Sequence, residues 1–249
     1  MELKDKVALV TGGTRGIGAA TALLLAQQGA DVAIVGRNRD DEALATQQSV
    51  QEAGRRCELI IADMAQPEQA TTSVQQTVKT LGALDVLVHS AGGLTAGTIF
   101  DVTPQDWMTA FAVHVHAVYH LSRAAIPLMR QRGGGAIVLI SSVAGLRGCP
   151  NSVCYQVVKG ALPQFARALS RDHANDNIRV NAVAPGIIRT RFHEKMPPAV
   201  KQNNLDNRIP LHREGTPEQV ASLVCELIRN DYITGETVTI DGGLTMRIA

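Results

Sequence analysis

A doubly wound α/β fold, with a parallel seven-stranded sheet and helices on both faces, is predicted by two features of the 249-residue chain. Seven short apolar runs recur along it: VALV (7–10), VAIV (32–35), ELII (58–61), DVLV (85–88), AIVLI (136–140), IRVNAV (178–183) and TVTI (237–240). They are continuous rather than alternating, as strands covered on both faces must be. Between them lie longer segments of helical period, about 16–29, 40–53, 67–81, 104–131, 153–173 and 217–229. Strands alternating with helices in this way give parallel pairing through right-handed crossovers.

The first strand runs into TGGTRGIG, Thr11 to Gly18, and then a helix. Gly12, Gly16 and Gly18 lack Cβ atoms, so the backbone can turn tightly and approach a pyrophosphate seated on the helix N-terminus. The spacing, Gly-x3-Gly-x-Gly, differs from the strict G-x-G-x-x-G of dinucleotide sites, but its place between first strand and helix predicts the same ligand class. The second strand ends in Gly36-Arg37-Asn38-Arg39. An acidic residue at this strand end would bind the adenosine ribose of NAD, whereas an arginine suits a 2′-phosphate. Gly36 takes the acidic position, Arg37 follows and Arg15 lies in the glycine-rich turn, so NADP(H) is the expected cofactor. Thr103-Pro104 and Thr216-Pro217 each pair a cap residue with proline at the first helical position. Gly186 to Glu214, rich in Arg, Asn and Pro, reads as irregular, and 187–214 is expected to be a substrate lid on a single domain spanning 1–249.

Chemistry concentrates in Ser142 to Lys159. Tyr155 and Lys159 are four apart and share a helix face, and Ser142 can fold back toward that face across a Gly/Pro/Asn turn. A phenol titrates near pH ~10, and bringing it to ~7 takes about 4 kcal/mol. One ammonium at ~4 Å in an effective dielectric of ~20 supplies about that much. Lys159 is therefore expected to make Tyr155 an acid/base toward a carbonyl or alcohol oxygen.

A net charge of +1 with no basic block excludes nucleic acid and membrane surfaces as main partners, and leaves a small-molecule substrate. No run of about 18 apolar residues occurs, and MELKDKVALV carries charges where a signal peptide needs an apolar core. The four cysteines (57, 149, 154, 225) form no C-x-x-C, and the expectation is reduced thiols in a cytoplasmic protein. A reactive thiol at Cys154 is the lesser alternative to simple packing. His114, His116 and His120 have no nearby carboxylate or thiol partner, so no metal site is expected. Asp40-Asp41-Glu42 and the arginines of 189–191 read as solvated faces, with Arg189 and Arg191 also placed to meet an acidic substrate.

These motifs together closely resemble the short-chain dehydrogenase/reductase family, over nearly the whole chain, and in particular its 3-oxoacyl-acyl-carrier-protein reductases and small-alcohol or sugar dehydrogenases. The resemblance implies a Rossmann-type fold and carbonyl–alcohol interconversion by hydride transfer. It implies catalytic roles for Ser142, Tyr155 and Lys159, with the tyrosine and lysine also meeting the cofactor. Cofactor contacts implied by it are Gly12, Thr14, Arg15, Gly16, Ile17, Gly18, Arg37, Asp63, Met64, Ala91 and Gly92. To these it adds Pro185, Gly186, Ile188 and Thr190 in VNAVAPGIIRT. ITGETVTIDGG (233–243) is similar to the family's closing strand. In the family, helices such as 104–131 and 153–173 pair across subunits, which implies a homo-oligomer, a tetramer first and a dimer second.

Two departures stand out. The family's N-N-A-G is His89-Ser90-Ala91-Gly92 here, and the helix Asn of its catalytic tetrad aligns with His114. An imidazole can replace that amide in a proton relay, since it accepts one hydrogen bond and donates another. Such a His114 predicts an extra acidic limb in the pH–rate profile, with its pKa displaced downward from ~6.5 by Lys159. The alternatives are a non-catalytic dinucleotide sensor or scaffold, which the two departures motivate, and a lyase or isomerase using the same tyrosine.

Overall fold

A computed structural model describes residues 1–194 and 196–246. The strands are β1 (Val7–Thr11), β2 (Asp31–Gly36), β3 (Cys57–Ile61), β4 (Val86–His89), β5 (Gly135–Ile140), β6 (Ile178–Pro185) and β7 (Thr237–Ile240). The helices are α1 (Gly16–Gln27), α2 (Asp41–Glu52), α3 (Pro67–Leu81), α4 (Pro104–Phe111), α5 (Ala117–Gln131), α6 (Val153–His173), α7 (Pro198–Asn203) and α8 (Pro217–Arg229). All seven strands pair in parallel in the order β3-β2-β1-β4-β5-β6-β7. The order reverses between β1 and β4, and in such sheets the crevice at that switch point, beyond the strand C-termini, is where ligands bind.

The sheet is buried on both faces because its strands are apolar throughout. On one face Ala8, Val10, Ile34 and Val138 pack against Leu25 of α1 and Val220 and Val224 of α8. On the other, Leu9, Val35, Leu87 and Ile137 meet Val74 of α3, Leu121 and Ala125 of α5, and Leu162 of α6. The predicted caps form: Thr103 Oγ1 accepts from the Asp106 amide at 3.1 Å, and Thr216 makes a reciprocal capping box with Gln219.

Two expectations need correction. The predicted helix 104–131 is interrupted by a π-helical turn, Ala112–His116, between α4 and α5. The segment 186–214 is not irregular throughout, since it holds a 3₁₀ turn (Arg191–His193), α7 and a second π-helical turn (Asn204–Arg208). A six-residue polar helix is too short to leave an apolar period, and a one-residue widening leaves the period almost intact, so neither is visible in the pattern. Among the described residues no helix is long and apolar enough to cross a membrane.

Candidate active site

The turn between β1 and α1 opens the crevice. Gly12 and Gly16 adopt positive φ (64° and 55°), and α1 starts at Gly16 without a side-chain cap or an acidic residue in its first turn. Its leading amides are therefore left for an anion from outside the helix. Across the crevice Thr190 faces this turn: a Cβ on Gly16 would come 3.4 Å from the Thr190 Cγ2. Gly36 backs directly onto Thr14, where a Cβ would lie 2.6 Å from the threonine methyl. Any side chain at that position would have to displace Thr14, so with Thr14 placed as it is the strand end suits glycine rather than a ribose-binding acid. Thr14 is itself held through its carbonyl, which accepts from Thr46 Oγ1 at 3.0 Å.

The charges around this end are organised rather than merely solvated. Asp40 caps α2 by accepting from the Ala43 amide at 3.0 Å and also binds Arg15 at 2.5 Å. Glu42 takes Arg15 at 3.1 Å and, from the other side of the crevice, Arg191 at 2.9 Å. Arg37 is exposed and makes no ion pair among the described residues. Asp63 folds over its own turn, accepting from the Ala65 amide at 2.9 Å, while the Met64 side chain is buried in the core and Ile17 packs at the core edge. Ala91 donates its amide to Thr11 Oγ1 at 3.3 Å. Gly186 donates to the Ile240 carbonyl, and buried Ile188 pairs with Gly215 in an isolated parallel bridge.

β5 and α6 bring the catalytic candidates together. Ser142 follows β5, is buried, accepts from the Ala144 amide at 3.2 Å, and lies near enough to the Tyr155 hydroxyl to favour its ionised form. Ser141, which the sequence reading did not single out, donates to the Lys159 carbonyl at 2.8 Å and so ties β5 to the helix. Lys159 is buried, donates from Nζ to the Ile140 carbonyl at 2.7 Å, and lies 5.8 Å from the centre of the Tyr155 ring. Burial lowers its pKa from 10.5 to about 7. The Tyr155 phenol is pushed up, with desolvation as the main cause and the Ser142 hydroxyl acting against it. This corrects the expectation that Lys159 lowers the Tyr155 pKa: in the protein alone the ammonium serves a strand-end carbonyl, and burial dominates the phenol. Phe192, another residue the motifs did not reveal, lies over Tyr155 with ring centroids 5.7 Å apart.

His114 is buried, donates from Nε2 to the Gly93 carbonyl at 3.1 Å, and meets the Tyr155 ring edge-on at 6.1 Å. Its ring rests on Gly92 (φ 147°), where a Cβ would fall 1.9 Å from Cε1, so the glycine is required by the histidine as well as by its backbone angle. Burial, then the Lys159 charge, pushes His114 well below its ordinary 6.5. The acidic limb expected from it therefore moves out of the neutral range. Among the described residues no group of His, Cys, Asp and Glu could hold a metal. Cys154 is fully buried and its thiol is pushed up by desolvation, which removes the reactive-thiol alternative.

Residues 12–245 match the family model described as enoyl-(acyl carrier protein) reductase. A 3-oxoacyl-acyl-carrier-protein reductase of Chlamydia muridarum is 34% identical over 244 residues, covering 97% of this chain and 98% of that protein. The chain belongs to the short-chain dehydrogenase/reductase family. Two solved members show how broad this family is at similar distance. A Burkholderia cenocepacia short-chain dehydrogenase in complex with NADP has a TM-score of 0.91 at 34% identity, covering 98% of this chain and 99% of that one. The L-sorbose reductase of Gluconobacter frateurii, complexed with NADPH and L-sorbose, has a TM-score of 0.92 at 30% identity, with both chains fully covered. Short-chain dehydrogenase/reductases use a nicotinamide dinucleotide. The crevice fits one on its own evidence: an uncapped helix start behind a positive-φ glycine turn, with Thr190 opposite.

Proposed function

We propose that this short-chain dehydrogenase/reductase is an NADP(H)-dependent enzyme interconverting a carbonyl and a secondary alcohol, with Tyr155 as general acid/base. The observation that carries the reading is the Ser142–Tyr155 hydroxyl pair beside Lys159, at the strand ends next to the glycine turn. A bound nicotinamide supplies the hydride to or from the substrate carbon. The chain's residues do the rest: Ser142 holds the substrate oxygen, Tyr155 gives or takes its proton, Lys159 returns a proton to the tyrosine, and His114 accepts at Nδ1 a hydrogen bond from the water that resupplies the lysine. The start of α1 holds the pyrophosphate, and Pro185, Gly186, Ile188 and Thr190 line the opposite wall with the segment 187–214 as lid. Phe192 over Tyr155 supports that lid, as does buried Glu214, which holds Arg189 at 3.4 Å and Lys201 at 3.7 Å. Turnover at 340 nm with NADPH against L-sorbose, acetoacetyl-coenzyme A and a 3-oxosteroid tests the reading. No consumption with any ketone, while NADPH still binds, would decide for a dinucleotide sensor.

NADP(H) preference rests on Arg37, which follows Gly36 and makes no ion pair among the described residues, with Arg15 held nearby by Asp40 and Glu42. A charge-assisted contact to the 2′-phosphate is worth about 1.5–3 kcal/mol, which is tenfold or more in affinity at about 1.4 kcal/mol per decade. Arg37→Ala is expected to weaken NADPH by that factor and leave NADH nearly unchanged, as read by titrating intrinsic fluorescence. Equal losses for both cofactors would reject the assignment.

A homotetramer, with a dimer as fallback, is the assembly expected from pairing of α5 and α6 across subunits. Light scattering at micromolar concentration measures it directly, and a monomeric mass would refute it.

A further inference from the structure

β4 and the π-helical turn Ala112–His116 are clasped together by two imidazoles reaching in opposite directions. His89, at the end of β4, places Nε2 3.1 Å from the Val113 carbonyl and Nδ1 2.8 Å from Thr11 Oγ1. A carbonyl only accepts, so Nε2 carries the proton and Nδ1 accepts from the Thr11 hydroxyl. The Thr11 oxygen in turn accepts the Ala91 amide at 3.3 Å, so the link runs on into the strand end beside the glycine turn. His114, the next residue after Val113, reaches back the other way, with Nε2 3.1 Å from the Gly93 carbonyl. The same logic puts its proton on Nε2 and leaves Nδ1 as a bare acceptor. That Nδ1 is buried and has no hydrogen-bond partner among the described residues.

A π-helical turn breaks the regular i to i−4 ladder, and His89 supplies a donor to a carbonyl inside the break. The two family departures at 89 and 114 are therefore joined through one peptide unit. We propose that His89 is a positioning residue for His114, holding the turn by the Val113 carbonyl so that the Nδ1 lone pair of His114 faces the Tyr155–Lys159 proton path. An Asn amide at 89 ends near where Nδ1 now lies and falls short of Val113, whereas a Gln amide reaches the Nε2 position.

This rests on the relay reading of His114, and the test separates the two. In wild type, ¹⁵N spectra of the histidines, assigned by single substitutions, are expected to show His114 as the Nε2–H tautomer. A wild-type Nδ1–H tautomer overturns the proposal without any mutation. His89→Asn is expected to mix the His114 tautomers and lower kcat by about tenfold, the usual scale for lost support of a functional histidine. NADPH affinity should move by less than about threefold in the same variant, since the crevice is untouched. His89→Gln is expected to restore the wild-type His114 signature and most of the kcat on the best ketone of the panel. The double variant His89→Asn/His114→Asn should be no slower than His114→Asn alone, since a residue that acts only through His114 has nothing left to position, a non-additivity that independent sites do not give. An unchanged His114 signature in His89→Asn, or strict additivity in the cycle, rejects the positioning role. If His89→Asn shifts the signature as expected yet His114→Ala keeps wild-type kcat, the relay fails and the positioning stands.

Discussion

Tyr155→Phe is expected to lose 10²–10⁴-fold in kcat, about the contribution of a positioned general acid, while binding NADPH within about threefold of wild type. The substitution removes one oxygen and leaves the ring, which meets His114 edge-on and packs beneath Phe192. What disappears is the proton and the hydroxyl's interaction with Ser142. Because burial raises the phenol's pKa, Tyr155 stays protonated through neutral pH. As an acid in carbonyl reduction it needs no prior titration; as a base in alcohol oxidation it must first lose that proton. Wild-type oxidation should therefore climb with pH while reduction stays flat on this group's account. A variant keeping more than about a tenth of wild-type kcat would exclude Tyr155 as the general acid. Parallel pH profiles in the two directions would exclude the raised pKa.

The strands and long helices were legible because each carries its burial in its own residues. β5 and β6 are buried along their entire length, and a continuous apolar run is the direct imprint of that. The glycine turn was legible for a related reason: positive φ and close approach restrict residue type as sharply as a core does. The tyrosine–lysine pair was visible through helical spacing alone. What the sequence hid depends on pairings between distant residues. That Lys159 would spend its ammonium on the Ile140 carbonyl is decided by how β5 ends against α6, and no local pattern encodes it. The Glu42 bridge between Arg15 and Arg191 joins positions 149 residues apart, so its acidic run looked like an ordinary solvated helix start. The π-helical turn at Ala112–His116 changes the period by a single residue, so it too leaves almost no mark on the pattern.

Lys159→Met is expected to abolish turnover and, in the cofactor-free protein, to raise stability. The lysine is buried, and its pKa falls from 10.5 in the unfolded chain to about 7 in the folded one. Between those values the unfolded state binds the extra proton, so folding stability rises with pH on this group's account, by about 1.4 kcal/mol per unit. Below pH ~7 the folded protein carries the charge and bears its whole desolvation cost, a few kcal/mol. Above pH ~10.5 neither state is charged and the cost is gone. Methionine has similar length and no charge, so it removes the cost at every pH and forfeits only one hydrogen bond to the Ile140 carbonyl, about 1 kcal/mol. Urea unfolding of both proteins at pH 6, 8 and 10 should show the variant well ahead at pH 6 and its lead shrinking steadily toward pH 10. A lead that does not vary with pH, or a variant less stable than wild type at pH 6, would mean that the buried ammonium is already compensated. Lys159 would then be a structural residue rather than one held at a stability cost for its chemistry.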